Sequence, residues 1–147
     1  MPKLAINKKV RYDYEFLDTF EGGLGLTGAE VKSIKEGHVQ LKGAFVSIQD
    51  GELWLRNSYV APYKPAGKQP DYDPNRDRKI LVHKAELKRL LGKTQEAGLT
   101  IVPISLYTKG RLVKIEFALA RGKKKYEKRE TIKKRELDRK VREHLKE

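Results

Sequence analysis

Gly23-Leu24-Gly25-Leu26-Thr27-Gly28 has the G-x-G-x-x-G spacing of a dinucleotide-binding loop, set between a strand-like run and a helix-like one. In that chemistry the glycines let the backbone close around a pyrophosphate at a helix N-terminus. The motif depends on a βαβ crossover to a parallel strand, and here a helix of under three turns leads into an antiparallel hairpin. The nucleotide reading therefore lacks its context. The three histidines, His38, His83 and His144, are scattered, with no second ligand at metal-binding spacing. Absence of cysteine excludes disulfides, thiolate metal sites and cysteine nucleophiles. No P-loop or nucleophile elbow is present, and nothing selects a pair of carboxylates for acid–base work. The chain reads as a binding protein without enzyme chemistry, cofactor or metal.

The chemistry that composition favours is polyanion binding. The 147 residues carry 33 Lys and Arg against 20 Asp and Glu, a net charge of +13. Residues 121–147 hold thirteen of the bases and six of the acids, a net of +7, with few apolar side chains. Alone, such a segment is expected to be disordered or only partly helical, because it buries too little apolar surface to offset its ordering entropy. A basic tail of this kind suits nucleic acid, where each contacted phosphate releases condensed counterions. A membrane surface fits less well. No apolar run approaches the ~20 residues of a spanning helix, and no segment has a broad amphipathic apolar face. The N-terminus, Met1-Pro2-Lys3-Leu4, lacks an apolar signal core, so a soluble cytoplasmic protein is expected, and a monomer is expected separately.

The elements that would position such chemistry lie before residue 120. Tyr12, Tyr14 and Phe16 alternate with Asp13, Glu15 and Leu17, the period of a strand. The glycines from 22 to 28 suggest a bend or bulge where backbones approach closely. Thr27 and Glu30 form a capping box, with Leu26 and Val31 as its hydrophobic staple, and Gly37 is the natural helix stop. Asp50-Gly51 predicts a type I′ hairpin pairing Ile48 with Leu53 and Val46 with Leu55. Residues 62–78 read as a long mobile loop. A helix over His83–Ala97 and strands over Leu99–Tyr107 and Arg111–Ala120 complete the body. The expected fold is mainly β: a small antiparallel OB-like barrel of about six strands with two or three helices, spanning residues 1–120, and a basic tail over 121–147. Such barrels bind nucleic acid through aromatic stacking and basic loops. Tyr12, Tyr14, Trp54, Tyr59 and Tyr63 are candidate platforms, although packing is the commoner role for each. Lys32 and Lys35 on the first helix are either a phosphate grip or its solvated face.

Several motifs resemble the signature of the SsrA-binding protein (SmpB) family. They are Ile6-Asn7-Lys8-Lys9, Phe20-Glu21-Gly22-Gly23-Leu24, Leu26-Thr27-Gly28-Ala29-Glu30-Val31-Lys32-Ser33, Asp73-Pro74-Asn75-Arg76-Asp77-Arg78-Lys79-Ile80-Leu81, Leu106-Tyr107 and Ala120-Arg121-Gly122-Lys123-Lys124-Lys125-Tyr126-Glu127-Lys128-Arg129. Their order and spacing run from residue 6 into the tail. The resemblance implies a factor that binds the tRNA-like domain of transfer-messenger RNA (tmRNA) and, with elongation factor Tu, enters stalled ribosomes for trans-translation. It implies RNA contacts at Asn7, Glu21, Leu81 and Lys114, with Lys32 and Arg78 as neighbours. Lys114, Lys32 and Arg78 would meet phosphates; Asn7 and Glu21 would bond bases or 2′-hydroxyls, and Leu81 would pack beneath a splayed nucleotide. The competing reading makes Leu81 core and Glu21 a partner for backbone donors. The resemblance makes Gly122 a hinge and brings Lys123, Lys124, Tyr126, Lys128 and Arg129 to the decoding centre of the small subunit. The rest of the tail would become a helix along the empty mRNA channel. The alternative is a general structured-RNA-binding or ribosome-associated barrel without tmRNA specificity.

Overall fold

The computed structural model describes residues 3–96 and 98–123, together with Arg129, residues 133–137 and Arg139. The elements run β1 (Lys3–Ile6), α1 (Val10–Asp13), β2 (Tyr14–Leu24), α2 (Gly28–Lys35), β3 (Val39–Gln40), β4 (Phe45–Gln49), β5 (Glu52–Arg56), β6 (Tyr59–Val60), a 3-10 turn (Lys64–Ala66), β7 (Arg78–Leu81), α3 (Lys84–Lys93), β8 (Leu99–Lys109) and β9 (Leu112–Gly122). Seven strands form an antiparallel sheet in the order β1-β8-β9-β2-β7-β5-β4, and β3 and β6 form a separate pair. β4 also packs beside β8, so the sheet curls around one core of Phe20, Ile34, Leu53, Leu55, Ile80, Leu106, Ile115 and Phe117. The mainly β antiparallel fold stands as expected, with more strands than the six anticipated.

Local signals and structure agree where the turn chemistry is specific. Thr27 and Glu30 make both bonds of the capping box. Gly37 (φ 84°) donates to Ile34 O and His38 to Ser33 O, a Schellman closure that only a left-handed residue permits. Asp50 (φ 54°) and Gly51 (φ 72°) turn the β4–β5 hairpin in the expected register, Val46 opposite Leu55 and Ile48 opposite Leu53.

Elsewhere packing overrides local pattern. Tyr12 lies on the one-turn helix α1, because buried Val10 seats against Val102, Ile104, Ala118 and Ala120. The irregularity in β2 falls at Leu17, where the register with β9 shifts between Phe16 and Asp18, and not at the glycines. α3 stops at Lys93 with Thr94 as its C-cap. The 62–78 segment is tied down over its second half by Tyr72, Pro74, Arg76 and Arg78, contrary to a freely mobile loop.

The body also extends past residue 120. Arg121 and Gly122 still pair with Glu15 and Tyr14, and Lys123 N–H donates to Asp13 O at 2.8 Å. Of the tail beyond, Arg129, residues 133–137 and Arg139 are helical and exposed.

Candidate nucleic-acid interface

β2 changes partner at its glycines, and a groove forms there. Gly23 faces Lys114 of β9 on one side and Leu81 of β7 on the other. At Gly22 a Cβ would stand 3.0 Å from Leu81 O and 3.0 Å from Ile80 Cγ2, so glycine is required for β7 to come this close. The groove that results is floored by Leu24, Leu26, Val31 and Val82 and rimmed by Glu21, Leu81, Arg111, Leu112 and Lys114.

The pleat decides which residues of β7 reach it. Arg78 and Ile80 point inward at 0% and 2% exposure, leaving Leu81 on the outside at 50%. Leu81 is therefore not core. Leu112, at the tip of the β8–β9 hairpin, is also exposed, at 61%. Glu21 accepts a hydrogen bond from the Tyr107 hydroxyl, and Lys109 Nζ lies 3.5 Å from its other oxygen. It does not serve backbone donors at the glycine turn. The phenol hydrogen bond, opposed by desolvation and helped by Lys109 and Lys114, holds the Glu21 carboxyl below the usual carboxylate range.

Arg78 is the site residue that the structure reassigns. Its guanidinium donates to Glu30 from Nε at 2.9 Å and from Nη2 at 2.6 Å. It also reaches the Ser58 hydroxyl at 3.0 Å and the carbonyls of Ser58, Pro74 and Arg76. A fully enclosed guanidinium with these partners cannot meet a phosphate. Glu30, at 1% exposure, accepts as well from Thr27 N–H at 2.9 Å, Tyr72 OH at 3.1 Å and Arg76 Nε at 3.1 Å. Burial disfavours its charge, but the bonds from Arg76, Thr27 and Arg78 and the charge of Arg78 prevail, bringing it down to about 2. This cluster clamps the 72–78 segment to the N-terminus of α2, next to groove residues Leu26 and Val31.

The structure brings Glu21, Leu81 and Lys114 together and sets the other candidates apart. Asn7 donates its carboxamide to Pro103 O at 3.3 Å and lines a second depression with Lys8, Lys9, Lys42 and Phe45. Ile6, Ser105, Glu116 and Glu21 lie in register across four strands, so Ile6, the neighbour of Asn7, is three strand spacings or about 14 Å from Glu21. Lys32 follows Val31 on α2, with its ammonium 5.6 Å from the Tyr63 ring centroid. Gly122 ends β9 opposite Tyr14, and a Cβ there would meet nothing within 4 Å, so sterics alone do not demand glycine. The ammonium of Lys123 donates to Arg11 O at 2.9 Å. Lys124, Tyr126 and Lys128 lie outside the described residues, and Arg129 is helical and exposed.

Sequence reasoning gave no site role to Tyr72, nor to Arg76 and Tyr107, which entered only as members of motifs. Arg78 was legible in principle, since it stands two residues before apolar Ile80 on the same strand face. The G-x-G-x-x-G stretch has no crossover around it: β2 pairs antiparallel with both neighbours, and Gly25 N–H donates to Lys79 O. Among the described residues no cluster of His, Asp or Glu is arranged to hold a metal, and no helix is long and apolar enough to cross a membrane.

Comparison with known proteins places the chain by sequence and by fold. The model of the SmpB protein family matches residues 4–147. The SsrA-binding protein of Sulfurihydrogenibium sp. (strain YO3AOP1) is 53% identical over 94% of this chain and 90% of its own length. That of Persephonella marina is 52% identical over the same shares. A solved structure described as "tmRNA-SmpB: a journey to the center of the bacterial ribosome" is 49% identical, covers 82% of this chain and 84% of its own, and superposes with a TM-score of 0.65.

Proposed function

The chain belongs to the SmpB family, and on that premise we propose that it binds the tRNA-like domain of tmRNA and carries it to stalled ribosomes in trans-translation. The observation that carries the reading is the groove itself: exposed Leu81 and Glu21 and half-buried Lys114 converge on one face of a chain with net charge +13. An exposed leucine flanked by cations suits a splayed nucleotide whose base packs on the side chain while its phosphate meets Lys114. Arg111 at the rim extends the same cationic edge. Residues 1–123 form the RNA-binding body, and the basic tail from Lys124 onward enters the decoding centre and the empty mRNA channel. Elongation factor Tu joins through the tmRNA complex. The protein acts as a cytoplasmic monomer, makes no bonds itself and takes no cofactor.

Two substitutions separate the contributions. Lys114→Ala is expected to weaken binding of the tRNA-like domain and to reduce the slope of log K against log salt by about 0.7–0.9, one phosphate contact. Leu81→Ala is expected to weaken binding by about tenfold with the slope unchanged, as loss of a base-packing surface requires. Equal affinity and slope in both variants would overturn the assignment of the groove.

A further inference from the structure

We propose that Tyr107 is a positioning residue for RNA recognition, holding Glu21 so that its remaining carboxylate oxygen accepts from a hydrogen-bond donor of the RNA beside Leu81. This rests on the reading of the groove as the tmRNA site and adds the residue that orients its carboxylate.

A carboxylate is out of place in a surface built for phosphates. Glu21 is the one acid among the groove-lining residues described, and its side chain is 39% exposed. Phosphate oxygens only repel it. Base amino and imino groups and 2′-hydroxyls are the RNA groups that donate to it. A glutamate on a strand surface otherwise has rotamer freedom to lose on binding. Here that freedom is already taken by Tyr107.

The phenol is well suited to this. The Tyr107 ring is buried, on a strand flanked by Lys3 of β1 and Lys114 of β9. Its hydroxyl donates to Glu21 Oε2, a charge-assisted bond. The other oxygen takes only a long bond from Lys109 Nζ, 3.5 Å, and a carboxylate oxygen with two lone pairs can accept from RNA as well. Burial and the Glu21 carboxylate push the Tyr107 hydroxyl upward, the direction expected of a phenol that donates to a carboxylate. The charged groups around the pair are Lys109 on the same strand as Tyr107 and Lys114 and Glu116 on β9.

The test is equilibrium binding of the full chain to the tRNA-like domain at fixed salt, with Glu21→Gln, Tyr107→Phe, the double variant and Lys114→Ala. Glu21→Gln removes a negative charge, so simple electrostatics would tighten the complex; the expected result is about tenfold weakening. Tyr107→Phe is expected to weaken it comparably, the double variant to lose no more than Glu21→Gln, and both single variants to keep the wild-type salt slope. Sensitivity to Glu21→Gln that survives 2′-deoxy substitution of the groove-bound segment identifies a base donor; sensitivity that vanishes identifies a 2′-hydroxyl. If Tyr107→Phe is silent, or adds fully to Glu21→Gln, the inference fails while the groove stands. If Glu21→Gln and Lys114→Ala are both silent, the groove assignment fails and takes the inference with it. Should Tyr107→Phe unfold, NMR titration of the Glu21 carboxyl in the unaltered protein decides. A carboxyl below the usual range that shifts on RNA addition supports the inference, and one unmoved by RNA overturns it.

Discussion

Replacing Arg78 with methionine is expected to lower stability by about 3–5 kcal/mol, the usual cost of stranding half of a buried ion pair. Arg78 and Glu30 are both enclosed, and the guanidinium is bonded on all three of its nitrogens. Methionine fills part of the volume but leaves the carbonyls of Ser58 and Pro74 without this donor and gives Glu30 only Arg76 as a cationic partner. The same cluster sets an acid limit. The Glu30 carboxyl is near 2 in the fold against an ordinary 4.5. Its contribution is therefore fully present above about pH 4.5 and is lost as pH falls toward 2, roughly 3 kcal/mol in all. Urea unfolding at pH 7 and pH 3 checks both expectations, and Glu30→Gln should remove most of this pH dependence at the cost of a lower stability at pH 7. A loss below about 1 kcal/mol for Arg78→Met would mean that the cluster is not what anchors the 72–78 segment.

Ending the chain after Lys123 is expected to abolish tagging on stalled ribosomes while changing affinity for the tRNA-like domain by less than about threefold. The cut spares the body's recorded bonds: the Gly122–Tyr14 pairing and the bond from Lys123 N–H to Asp13 O both remain. A cut at residue 120 would not be equivalent, since it removes the pairing of Arg121 with both Glu15 and Leu99. The groove residues keep their places, so RNA binding by the body should persist. If instead the tail's phosphate contacts drive association, truncation would cost several decades of affinity and flatten the salt dependence. Tagging in a reconstituted translation reaction, paired with a filter-binding titration, measures the two roles separately.

The elements legible in the sequence were those governed by short-range chemistry. Thr27 and Glu30 announce a capping box, and Asp50-Gly51 a primed turn, because both motifs satisfy backbone groups within a few residues. The alternation from Tyr12 marks a strand that holds from Tyr14 and fails at Tyr12 and Asp13, because Val10 is pulled into a small cluster with residues about a hundred positions away. Lys114 and Glu21 were identifiable as site residues only through family resemblance. Their meeting depends on β2 exchanging β9 for β7 at Gly23, a long-range fact. Arg78 entered as a neighbour of the contacts that the resemblance implies, a cation able to meet a phosphate. Its strand face, shared with Ile80, sends it inward to Glu30, a residue forty-eight positions earlier. Tyr107 carried no local signal of its role, since its partner Glu21 lies across two strands.

Competitive binding of the full chain to the tmRNA tRNA-like domain against ordinary tRNA, at near-physiological salt, tests the central claim most directly. A preference of about tenfold or more, roughly 1.4 kcal/mol, that collapses with Lys114→Ala is the expected result. Equal and steeply salt-dependent binding of both RNAs would contradict it and leave a basic barrel that recognises charge alone.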